Sequence, residues 1–143
     1  MHDRKMEVVR LSHIRELLWK AENEAGSTLA NCRYFKLQYP TYWKAFMHRI
    51  KRPIHLRYSD TIVDVCADTI ISPLEDDDGL IEVGPMFFNK HECPYTASSM
   101  LGHEMLHLVH FPRSANHNKH GIDRGDDPVY VTTEQCFKDN YRL

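Results

Sequence analysis

Apolar positions recur every three or four residues over 5–25, where Met6, Val9, Ile14, Leu17, Leu18, Ala21 and Ala25 approximate one stripe of a helix. Glu16 and Lys20, four apart, add a favourable pair on the polar side, and Gly26 is expected to cap the C-terminus. A second helical region starts near Thr28 and is dense in aromatics: Tyr34, Phe35, Tyr39, Tyr42, Trp43 and Phe46. Pro40 lacks a backbone donor and interrupts it, with helix resuming at Thr41 and running to about Ile50. These aromatics read as a core stripe facing a sheet rather than as a platform for stacking bases.

From Pro53 the period changes. The segments 54–58, 62–71 and 80–88 read as strands. Between the last two, Glu75-Asp76-Asp77-Asp78-Gly79 forms a solvated turn ending in the Asp-Gly pair common in hairpins. It lacks the alternating ligands and closing Glu of a calcium loop. Helix returns over 97–110, with Thr96 as its cap and Pro94 just before it. Pro112 disfavours helical geometry at Phe111 and so ends the helix near His110. Met100, Leu101, Leu108 and Phe111 supply its apolar packing surface. The order is helices, a small mostly antiparallel sheet, one more helix and a His-rich tail. That predicts a single α+β domain over 1–143, with the sheet covering the late helix.

Composition narrows the class. At 42% hydrophobic and 27% charged, the 143 residues match a soluble globular protein with its own core. No run reaches the length of a membrane span, and the polar opening is unlike a signal peptide, so no membrane partner is expected. A net charge of -2 gives no global support to nucleic-acid binding. The local basic patch of His48, Arg49, Lys51, Arg52, His55 and Arg57 reads as a solvated helix end, with a nucleic acid or acidic partner as the alternative. Cys32, Cys66, Cys93 and Cys136 are scattered with no C-x-x-C pair, which predicts reduced thiols in a cytoplasmic protein.

The late helix carries Gly102-His103-Glu104-Met105-Leu106-His107. Imidazoles four residues apart share one helical face and can reach one metal ion, while the glutamate between them can serve a water there. This is the His-Glu-x-x-His pattern of zinc peptidases, in which zinc takes three protein ligands and leaves a fourth position open. Candidates for the third ligand are His110, His117, His120, Asp123 and Glu134. His110 lies roughly 10 Å along the helix axis from His103, at about 1.5 Å rise per residue, and suits a helix-end role better. The metzincin pattern needs Gly at 110 and His at 113, where this chain has His110 and Arg113.

The run His103-Glu104-Met105-Leu106-His107, followed by His120-Gly121, resembles the SprT-like zinc metallopeptidases related to Spartan. That resemblance implies a small zincin-like domain, zinc held by His103, His107 and His120, and Glu104 as catalytic base. It implies a protein or peptide substrate and leaves DNA association open. The chain has Arg124 where that family usually has an aromatic, and it shows no zinc ribbon. His103 to His110 is also similar to the ImmA/IrrE-type peptidases, which would make Glu134 the third ligand. Both resemblances imply a metalloprotease. The competing class is a non-catalytic, zinc-stabilised module that binds protein or DNA.

Overall fold

The computed structural model describes residues 4–71, 78–114, 117 and 127–138, with side chains from residue 11 onward. Helix α1 spans Arg4–Ala30 and buries Leu18, Ala21, Ala25 and Leu29 along one stripe. Leu17, expected on that stripe, is 43% exposed. The expected cap at Gly26 gives way to continuous helix. Burying Leu29 stabilises by roughly 1.5–3 kcal/mol, which exceeds the roughly 1 kcal/mol cost of a glycine inside a helix. Met6 and Val9 lie outside the described side chains.

Helix α2, Arg33–Gln38, and α3, Pro40–Arg49, meet at Tyr39, with Pro40 in the first turn of α3, where its missing donor is harmless. The aromatics of this pair are structural, as expected, but their partner is different. Phe35, Tyr39 and Tyr42 gather edge-on around Phe111, with ring centroids 4.7–5.7 Å apart. They pack on the exit of the late helix, not on the sheet. Of the basic patch, Arg49 is absorbed into scaffolding, while His48, Lys51, Arg52, His55 and Arg57 stay exposed. Buried Arg49 donates to the carbonyls of Arg52, Pro53 and Asp78, Arg52 pairs with Asp78, and Arg57 with Glu82.

Three short strands follow: β1 at Leu56–Tyr58, β2 at Ala67–Ile70 and β3 at Leu80–Val83. Their order is β1-β3-β2, with β1 parallel and β2 antiparallel to β3. The sheet is therefore mixed rather than mostly antiparallel, and its strands are shorter than the apolar runs. Ile81 and Val83 of the central strand are fully buried. Gly79 has φ +75°, a conformation that favours glycine at the end of the β2–β3 connection. The acidic residues 75–77 of that turn lie outside the described residues.

Helix α4, Ala97–Leu108, packs between α1 and β2, and α5, Pro128–Cys136, closes over it. All four cysteines are paired, Cys32 with Cys136 and Cys66 with Cys93, which corrects the expectation of reduced thiols. Spacing along the chain was a poor guide, because bonding depends on Cα separation, here 5.3 Å and 5.9 Å. One bond ties the end of α5 to the α1–α2 junction. The other ties the approach to β2 to the loop before α4.

Phe137, next to the first bond, lies against Gly102 of α4. A Cβ on Gly102 would sit 2.5 Å from Phe137 Cζ and 2.7 Å from Cε2. Alanine in a helix gains about 1 kcal/mol over glycine, whereas overpacking costs roughly 1–3 kcal/mol. Because the Phe137 ring is buried, the clash should win, and Gly102→Ala is expected to lower stability in denaturant titration. An unchanged or higher midpoint would contradict this close packing.

Candidate metal and catalytic site

Thr96 caps α4 by accepting a hydrogen bond from the Ser99 amide, as its position predicts. At the other end the helix stops at Leu108, and His110 takes φ +54°. The amides of His110 and Phe111 then return to the carbonyls of His107 and Leu106, the bond pair of a Schellman turn. This turn sends the chain back across the face that carries His103 and His107. His110 is thus the residue that reverses the chain, in keeping with its expected helix-end role.

The returning segment delivers His117. Its Nε2 lies 3.1 Å from His103 Nε2 and 3.0 Å from His107 Nε2. Tetrahedral zinc with Zn–N of about 2.05 Å sets its nitrogen ligands about 3.3 Å apart. A neutral imidazole nitrogen has one lone pair, so hydrogen bonding cannot satisfy both short contacts at His117 Nε2. A cation shared by the three would satisfy them together. His103, His107 and His117 are therefore positioned to bind a metal ion.

The proton placement agrees. His117 Nδ1 is 2.5 Å from Asp127 Oδ2, so that nitrogen donates to the carboxylate and Nε2 is the one turned toward the other two imidazoles. Burial, with the neighbouring His117 and Arg113, lowers the His107 pKa to about 4, which keeps its imidazole neutral at physiological pH. Tyr130 of α5 lays its ring over His103 and His117, with centroids 4.8 Å and 5.1 Å away.

Glu104 is buried beside the triad and is not one of its three members. Thr69 of β2 holds it, with Oγ1 2.6 Å from Glu104 Oε2. Burial pushes the Glu104 pKa up to about 7; the Thr69 hydrogen bond opposes this and Asp68 reinforces it. A carboxyl in that range can take and return a proton near neutral pH. Glu104 and the triad face one cleft of about 890 Å³, walled by β2 and its approach on one side and by Phe111, Pro112 and Arg113 on the other.

Among the described residues, His117 is the expected third ligand brought to the pair. Glu134 is exposed on α5 and does not join the cluster. His120 and Asp123 lie outside the described residues. Asp127, Ser114 and Thr69 went unnoticed in the sequence. Asp127 had a legible signal, since Asp followed by Pro is a common helix start. Comparisons with family models, curated proteins and solved structures returned no match.

Proposed function

We propose that this chain is a zinc-dependent metalloprotease that hydrolyses peptide bonds, with His103, His107 and His117 holding the ion and Glu104 as general base. The observation that carries the reading is the buried Glu104, poised near neutral pH beside three convergent imidazoles. A zinc ion held by these three residues would supply Lewis acidity toward a carbonyl oxygen and a water molecule. Glu104 takes the proton from the attacking water and returns it to the leaving amine. Thr69 keeps its carboxylate aimed along the cleft. The rival class, a zinc-stabilised interaction module, has no use for a buried carboxyl next to an open cleft, and burying one is costly.

The strand open to a substrate is β2, since β3 is central and β2 is the edge that lines the cleft. An extended peptide adding to β2 would run past Thr69 and the triad, which suits a protein or peptide substrate. The SprT-like resemblance implied His120 as the third ligand, whereas the imidazole beside the pair among the described residues is His117, and exposed Glu134 gives the ImmA/IrrE-like reading no support. No helix among the described residues is long and apolar enough to cross a membrane. Two disulfides favour an oxidising compartment over the cytoplasm. In the basic patch Arg49 is buried, whereas exposed Arg52 and Arg57 form ion pairs with Asp78 and Glu82, so part of its charge is balanced at the surface.

His117→Ala is expected to weaken zinc by more than the roughly 10–100-fold typical of an outer partner, and to abolish casein cleavage. Glu134→Ala should leave both near wild type. Competition with a chelating dye reads the affinity. Retention of zinc by His117→Ala with loss in His120→Ala would move the third ligand to His120.

A further inference from the structure

Asp127 is 1% exposed, and the hydrolytic reading gives it no part beyond its contact with His117. Its two oxygens have separate partners. Oδ1 accepts the Val129 amide at 2.9 Å and so caps α5. Oδ2 accepts from His117 Nδ1 at 2.5 Å and from the Ser114 hydroxyl at 3.1 Å. Capping needs only the first oxygen. The second holds both Ser114 and His117, two residues of the chain beyond α4.

We propose that Asp127 is the positioning residue of the metal site: through Oδ2 it fixes the tautomer and aim of His117, so that α5 sets how tightly the three imidazoles hold their ion. The inference rests on the metal reading above. His117 belongs to the chain beyond α4, so its orientation needs an outside anchor, unlike that of His103 and His107, which the helix aligns. The anchor is itself held firmly. Its helix is bolted at the far end by Cys32–Cys136, and Phe137 beside that bond packs on Gly102, adjacent to His103. One helix therefore steadies the third imidazole and the backbone beside the first.

Substitution separates capping from positioning. Asn and Ser cap helices about as well as Asp, so Asp127→Asn and Asp127→Ser should both keep a folded apo-protein by circular dichroism and thermal melting. Ser leaves no acceptor facing His117. Asn is closer in shape yet worse placed: with its oxygen on the Val129 amide, its NH2 faces Nδ1 and favours the tautomer that points a proton at the ion. We expect zinc affinity to fall roughly 10–100-fold in both, with Asn at least as damaging as Ser. In a His117→Ala background neither change should weaken zinc further, because the residue acts through His117.

Zinc titrations of the wild type, the three single variants and the two doubles decide it. Wild-type affinity in Asp127→Ser and Asp127→Asn, with loss in His117→Ala, overturns the positioning role and leaves the metal reading intact. An equal loss with and without His117 also overturns it, as a general effect on the fold. Failure of the wild type to bind zinc overturns both.

Discussion

Glu104→Gln is expected to lower peptide hydrolysis by roughly 10²–10⁴-fold while the protein still binds one zinc ion, because the amide cannot accept the proton and the three imidazoles are untouched. Stability should move the other way. In the metal-free protein Glu104 is held at about 7 against an ordinary 4.5, chiefly by burial. The folded state therefore binds more protons than the unfolded one between those values, and stability falls as pH rises through that window. Above it the penalty levels off at about 3 kcal/mol, an order-of-magnitude figure from the size of the shift. Gln carries no such charge, so the variant should outlast the wild type above pH 7 and lose that advantage below 4.5. Wild-type turnover in zinc-loaded Glu104→Gln would end the hydrolytic assignment. Parallel pH–stability curves for the two apo-proteins would show that Glu104 is not held near neutrality by its surroundings.

Replacing Cys32 and Cys136 together by Ser is expected to cost about 4–5 kcal/mol, since the bond closes a separation of 104 residues. For a chain of this size that corresponds to a melting temperature lower by roughly 10–20 °C. The Cys66–Cys93 bond closes only 27 residues, and its loss should cost about 1 kcal/mol less by the same loop-entropy reasoning. The two differ more in function than in magnitude. Freeing Cys136 loosens α5, which carries Asp127 and Tyr130 on the metal side, whereas freeing Cys66 loosens the β2 wall of the cleft. The first variant should lose zinc affinity and the second should raise KM. Four free thiols in the denatured, unreduced protein would refute both pairings, and thiol titration reads this directly.

The helical site residues were legible in the linear chain because their geometry is local. His103 and His107 share a face through the helix repeat alone, and Thr96 and Pro112 bound that helix by capping and steric rules acting within a few residues. Pro40 likewise divided two helices where a proline must. What could not be read is whatever joins segments distant along the chain. The pairing of four scattered cysteines, the central place of β3 and the choice of His117 beside Asp127 all follow from which surfaces pack together. Even the length of α1 was decided this way, because the last turn forms to bury Leu29 despite Gly26. Loop closure depends only weakly on loop length, so residue spacing scarcely distinguishes one distant partner from another. Packing does, by placing one imidazole 3 Å from two others and leaving the rest of the chain's histidines elsewhere or outside the described residues.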